Sequence, residues 1–241
     1  MLASSPQQSH SVLAEAALEL IWPTRCAGCE KPGQVLCASC IAALNYTNQE
    51  YACPLCGAPF GFIVCTECYD RSGKETHAFS AATCTASLDE LAGRIIVLYK
   101  DSNERRLACN LAELLSEALP ESWLSWAEVL TWIPADRKAQ RRRGFDHMER
   151  VALEMAELAK VQARGLLHKK PCRDQRHLNR QERTDNLKES FSLISVTEPV
   201  PGKVLLIDDV FTTGSTLNAA SLTLLEGGAQ EIRVASVARA W

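Results

Sequence analysis

A chain of 241 residues, 46% apolar and 23% charged, is long enough to bury a sizeable core in one α/β domain and to carry a smaller module beside it. A net charge of −3 and a pI near 6.0 exclude a broadly basic nucleic-acid coat, so any contact with a polyanion must be local. No uncharged run approaches the ~18–20 residues of a membrane-spanning helix, so the expectation is a cytoplasmic protein that does not insert in membranes.

Residues 1–24 contain the apolar run "SVLAEAALELIW", which lacks a positive start and carries Glu15 and Glu19 within it. It is therefore not expected to act as an export signal, and its periodicity predicts an amphipathic docking helix.

Residues 25–78 are set apart by cysteine. Eight of the eleven cysteines lie here as four CxxC pairs, "CAGC", "CASC", "CPLC" and "CTEC", with seven residues between the first two pairs and eight between the last two. Two residues between thiolates make a tight knuckle whose amides hydrogen-bond the sulfurs, and two knuckles complete a tetrahedral shell. A disulfide framework is disfavoured without an export signal, and four such pairs are not a redox pattern. A double zinc ribbon with two structural Zn²⁺ is expected, its ligands Cys26, Cys29, Cys37, Cys40, Cys53, Cys56, Cys65 and Cys68. All-cysteine shells leave no open position for water. Local pairing of consecutive knuckles and a cross-braced arrangement use the same residues, and the spacing does not separate them. With few large apolar residues, the segment needs metal binding for much of its folding free energy, on the order of 10 kcal/mol per site.

From residue 79 to 241 strand and helix signals alternate. "AFSAATCTAS" reads as a strand, and "LDELAGRIIVLYK" and "ERRLACNLAELLSEAL" as helices; "EVLTWIPA" is a short buried strand. "DHMERVALEMAELAKVQA" is a helix and "GLLHK" a strand, followed later by the strand "KVLLIDDV", the helix "STLNAASLTLLEGG" and the strand "EIRVASVA". Such alternation predicts an α/β fold, a parallel sheet flanked by helices on both faces, with the ligand site at the carboxyl ends of the strands.

At that edge "VLLIDDVFTTGST" runs a buried strand into Asp208 and Asp209 and then into a small-residue loop that opens a helix. Paired carboxylates accept hydrogen bonds from a vicinal diol, and a hydroxyl- and amide-rich loop at a helix N-terminus suits a phosphate. Diol and phosphate together describe a ribose 5-phosphate. The plainer alternative, solvated aspartates followed by a helix cap, accounts for either half but poorly for both.

This stretch resembles the phosphoribosyl-diphosphate (PRPP) fingerprint of type I phosphoribosyltransferases. The chain as a whole resembles the ComF family of bacterial competence and gluconate-utilisation proteins, through the cysteine-rich ribbon, "LYK", "RRRGFDH" and "QRHLNRQERTDNLKESF" ahead of the loop. Two departures stand out: Asp146-His147 where the family has Asn-Gln, and Cys172 where threonine is usual. The resemblance implies a type I phosphoribosyltransferase fold. It also implies a loop of Thr212, Thr213, Gly214, Ser215 and Thr216 around the 5-phosphate, with Asp208 and Asp209 on the ribose hydroxyls and stabilising a cation-like anomeric carbon. Pyrophosphate would lie near Arg137 and Lys138, with Mg²⁺ bridging substrate oxygens. Chelation would then unfold the ribbon and leave PRPP binding largely intact.

The polar, basic segment 169–191 reads as a hood over the ligand, with Gln175 and Arg183 as candidate contacts, or as a solvated linker. The run Arg137 to Gly144 could serve pyrophosphate or single-stranded DNA. Two functions follow from the resemblance. One is a phosphoribosyltransferase of unnamed acceptor linked to DNA uptake; the other is a non-catalytic, PRPP-dependent protein that binds DNA or a partner of the uptake machinery.

Overall fold

The computed structural model describes residues 23–59, 65, 68, 77–170, 190–194 and 199–240. The expected N-terminal docking helix, and most of the expected hood with Gln175, Arg183 and Cys172, lie outside these residues.

Two compact units divide between Ala43 and Leu44. That boundary falls inside the span 25–78 read as one double ribbon, because the second set of knuckles folds with the larger unit. In the smaller unit the described chain doubles back at an antiparallel bridge, Arg25 to Pro32, and ends in the helix α1 (Ala38–Ala42). Among its described residues Cys26, Ala27, Leu36 and Cys40 are the buried apolar ones, a small core around the cysteines.

In the larger unit, chain order runs β1 (Ala81–Ser87), α2 (Glu90–Asp101), α3 (Leu107–Ala118), α4 (Glu121–Trp126), β2 (Val129–Trp132), α5 (Arg137–Arg143) and α6 (His147–Ala159). There follow β3 (Leu167–Lys169), β4 (Phe191–Leu193), β5 (Lys203–Phe211), α7 (Ser215–Glu226) and β6 (Glu231–Arg239). The main sheet has the order β1-β6-β5-β2, all parallel. Near-continuous burial along β5 and β6 is what a parallel sheet covered on both faces requires. Val204 and Leu206 of β5 and Ile232 and Val234 of β6 share one buried cluster with Leu217, Ala220 and Leu224 of α7. The alternate residues Leu205 and Ile207 turn to the opposite face, and α3 and α6 pack on each other and on the sheet.

Caps explain where the helices begin. Asp89 accepts from Ala92 N at 2.9 Å, Asp136 from Lys138 N at 2.7 Å, and Asp146 from Met148 N at 3.1 Å. The strand β3 does not join the main sheet; it pairs antiparallel with β4, Lys169 opposite Phe191, and forms a two-stranded annex. The short helices α4 and α5, absent from the sequence expectation, are six and seven residues long, too short to show a helical period.

Candidate functional site

Trp132, the last residue of β2, lies opposite Ile207, so β2 ends just where Asp208 and Asp209 follow on β5, and the two strands border a cavity of ≈ 300 Å³. Asp208 and Asp209 line it and are only 8% and 7% exposed. Two carboxylates this deep cannot both keep their charge cheaply. Burial and the neighbouring charge of Asp209 push Asp208 well above the usual carboxylate range. Asp209 feels the same burial, but a hydrogen bond from His147 and the ammonium of Lys100 outweigh it and hold its pKa at about 2. The pair is thus one carboxyl that holds its proton more tightly than usual beside one held ionised.

Two basic groups reach Asp209 from distant parts of the chain, and a third stands behind one of them. Lys100, at the end of α2, forms an ion pair with Asp209. His147, the first residue of α6, places Nε2 2.6 Å from Asp209 Oδ2. Arg143 lies with Nη1 3.4 Å from His147 Nδ1 and also lines the cavity. His147 is held in turn, its carbonyl accepting from Tyr99 Oη at 2.5 Å. Asp146 caps α6 and its Oδ2 accepts from Ala135 N at 2.8 Å, tying the turn after β2 to the helix that carries His147.

The segment after β5 turns into α7 through Gly214, whose φ of 73° is the left-handed conformation. A Cβ there would lie 2.6 Å from Phe211 Cε2, so glycine is required by space as well as by conformation. Thr213 Oγ1 and Ser215 Oγ are 2.8 Å apart, Thr212, Thr213 and Ser215 are exposed, and Thr216 lines the cavity with the aspartates. The first turn of the 12-residue α7 therefore brings hydroxyls and helix-N-terminal amides beside the carboxylates, the Ser215 amide donating to Thr213 Oγ1 at 3.4 Å, an arrangement fitted to an anion.

Other expected positions fall elsewhere. Arg137 lines an adjoining cavity of ≈ 210 Å³ with Asp146 and His168, whereas Lys138 is exposed and lines neither. The sequence assigns no role to Lys100 or His147, although "LYK" and "RRRGFDH" contain them, whereas Arg143 belongs to the run expected to serve pyrophosphate or single-stranded DNA.

The cysteines form two groups, Cys26, Cys29, Cys37, Cys40 and Cys53, Cys56, Cys65, Cys68, each with its sulfurs within 4.8 Å of one another. This is the local pairing. In the second group the nearest sulfurs are 3.4 to 3.8 Å apart, far beyond the ~2.05 Å of a disulfide. A tetrahedral shell with ~2.3 Å metal–sulfur bonds has sulfurs ~3.8 Å apart, so both groups could hold a metal ion. Cys37 N points at Cys26 Sγ and Cys65 N at Cys53 Sγ, each at 3.3 Å, the hydrogen bonds that knuckles make to thiolates. Burial pushes the Cys56 thiol up to about 12, and a bound dication is what would let such crowded sulfurs ionise together.

The chain is 29% identical over 206 residues to competence protein ComFC of Streptococcus pneumoniae, spanning 85% of this chain and 87% of that one. It is 28% identical over 224 residues to competence protein F of Haemophilus influenzae, spanning 89% and 90%. Both relatives are named as competence proteins, and the chain is similar to them over most of its length. Another relative, the DNA utilization protein YhgH of Salmonella typhi, is 26% identical over 83% of this chain and 88% of its own. No protein-family profile matches the chain. Among solved structures it is similar to orotate phosphoribosyltransferase from Aeropyrum pernix, at 14% identity and a TM-score of 0.32 over 69% of each chain. It is also similar to an allosteric regulatory enzyme of purine biosynthesis, at 20% identity and a TM-score of 0.36 over 56% of this chain and 25% of that one. Among the described residues no helix is long and apolar enough to cross a membrane.

Proposed function

We propose that this chain belongs to the ComF family, binds PRPP at the carboxyl edge of β5 and acts as a phosphoribosyltransferase-like protein of the cytoplasm in the handling of incoming DNA. The observation that carries the proposal is the buried Asp208–Asp209 pair beside the open first turn of α7, a diol-binding group and an anion-binding group sharing one cavity. The competence and DNA-utilization names of the relatives support the link to DNA uptake.

In this assignment the ribose 2- and 3-hydroxyls donate to the aspartates, Asp209 as the ionised acceptor, and the 5-phosphate accepts from the amides and hydroxyls of Thr212 to Thr216. The pyrophosphate lies toward Lys100, Arg143 and the turn after Pro134, with Arg137 within the adjoining cavity; Lys138 is left to the solvent-facing side of α5. Binding must displace Lys100 or His147 from Asp209, since both occupy the lone pairs a diol needs. A ligand phosphate supplies the displaced cations with a new anion, so the exchange is close to charge-balanced. Mg²⁺ accompanies the ligand and would be held by its oxygens and by these aspartates. Negative charge beneath the ring stabilises a cation-like anomeric carbon if pyrophosphate is displaced. The two cysteine groups hold Zn²⁺ as closed structural shells.

A non-catalytic PRPP-dependent binding protein uses the same site without an acceptor pocket. Incubation with PRPP, Mg²⁺ and a panel of bases and amines separates the two: pyrophosphate release is expected for the transferase, and saturable binding without release for the second. Absence of any PRPP binding would reject both.

A further inference from the structure

The second cysteine group shares its surroundings with the anion loop. Parallel pairing places Arg239, the last residue of β6, opposite Phe211, the last residue of β5. Arg239 is 3% exposed, and among the contacts of its guanidinium Nη2 lies 3.6 Å from Cys56 Sγ, Nη1 donates to the Thr212 carbonyl at 3.4 Å, and Cζ sits 4.1 Å over the Phe211 ring. The rim of that ring is what a Cβ on Gly214 would strike. From the other side His77 stacks on Phe79 at 4.7 Å and meets Phe211 edge-on, while Ala78 N donates to Asn218 Oδ1 of α7 at 2.6 Å.

A buried guanidinium is costly unless its charge is matched. Four thiolates around one dication carry two negative charges, and an arginine donating to a ligand sulfur is the kind of outer partner that orients a metal shell. The same arginine that would neutralise the metal group therefore also holds the backbone of Thr212, the first residue of the loop.

We infer that metal bound at Cys53, Cys56, Cys65 and Cys68 is a structural determinant of phosphate binding, with Arg239 as the positioning residue that joins it to the Thr212–Thr216 loop. The consequence for ligand binding rests on the function proposed above; the mechanical link between metal and loop does not. A chain that loses this metal loses the loop's shape, so zinc release by chelation weakens the phosphate site. The first cysteine group lies in the other unit and serves as the control.

The test uses the full chain, loaded with zinc, and reads three quantities: zinc release to a chromogenic chelator, amide hydrogen exchange across residues 212–216, and calorimetric affinity for PRPP with Mg²⁺. Arg239→Ala is expected to release one of two zinc ions faster, to raise exchange in the loop and to weaken PRPP about tenfold, with Arg239→Lys intermediate. Cys37→Ser should release one zinc and leave loop exchange and PRPP affinity at the parent's values. If Arg239→Ala does not fold, Arg239→Lys and stepwise chelation of the parent give the same readouts. Loop exchange unchanged by Arg239 substitution, or by loss of the second zinc, would overturn the coupling. A parent chain that shows the coupled exchange but binds no PRPP would instead overturn the ligand and keep the link.

Discussion

Two groups of four cysteines with nearly the same spacing stand in different surroundings in this chain. The first lies in a unit of 43 residues, where Cys29 is exposed and the knuckles hydrogen-bond mainly to one another's loops, as in Cys26 N to Lys31 O at 2.8 Å. The second is buried at all four sulfurs and belongs to the same apolar cluster as Phe79, Cys84, Phe211 and the core strands. Its loops are stitched to β1: Ala82 N donates to Pro54 O at 3.1 Å, and a Cβ on Gly57, whose φ is 69°, would lie 2.9 Å from Cys84 Sγ. A CxxC pattern thus specifies a metal shell but not how much of the protein depends on it; that is set by what the knuckles pack against. The expectation that metal removal would spare ligand binding treats both groups alike, and the structure distinguishes them.

The largest effect should come from breaking the second group. Cys56→Ser removes a ligand at 1% exposure from a site whose metal binding is worth on the order of 10 kcal/mol, so the larger unit should lose cooperative unfolding or fall by more than ~10 °C in Tm. Cys29→Ser, in the first group, should leave that transition within ~2 °C. Differential scanning calorimetry of the two variants checks the contrast; equal losses would dissolve it.

Next in size is Asp208→Asn with Asp209→Asn. Weakening charged hydrogen bonds worth about 1.5–3 kcal/mol should reduce PRPP affinity at least tenfold without unfolding the chain, as calorimetry and circular dichroism would report.

A smaller effect divides the arginine run. Arg143 faces His147 and the cavity, so Arg143→Ala should weaken PRPP about fivefold, the equivalent of ~1 kcal/mol. Arg141 and Arg142 are exposed, and Arg142 pairs with Asp101 at 2.9 Å. Their joint replacement by alanine should change PRPP affinity less than twofold. If they instead hold single-stranded DNA, the slope of its log affinity against log salt would become shallower by about 0.7 for each phosphate no longer held.

The smallest effect concerns stability against pH. Asp208 has its folded pKa raised, so its contribution to stability is fullest below the unfolded value of about 3.9 and is lost as pH rises through the higher folded value. Asp208→Asn should therefore flatten the decline in Tm above pH 4 and raise Tm near neutrality by ~2–4 °C, the equivalent of about 1 kcal/mol. Asp209 behaves oppositely: its stabilisation is present above about 3.9 and fades as pH falls toward 2. An unchanged Tm–pH profile in Asp208→Asn would contradict the buried-acid assignment.

Much of this was legible in the chain. The β5 run, its terminal aspartates and the glycine before α7 carry local chemistry, because an apolar strand, a carboxylate pair and a left-handed turn each need particular residues at adjacent positions. The partners of Asp209 were not legible. Lys100 and His147 come from α2 and α6, and only the sheet order brings those helix ends to β5. Arg239 was hidden for the same reason: in sequence it is one more charged residue at a strand end, and its pairing with Phe211 is a matter of register. Asp146, which the sequence marks only as a departure from the family pattern, proves to be a helix cap that also fastens the turn after β2.

The central claim is that the cavity at the end of β5 is a PRPP site. Calorimetric titration of the full zinc-loaded chain with PRPP in the presence and absence of Mg²⁺ tests it most directly. Saturable binding of one PRPP per chain, strengthened by Mg²⁺ and competed by ribose 5-phosphate, is the expected result. No heat or protection at millimolar PRPP, with the chain folded and both metal sites filled, would contradict it.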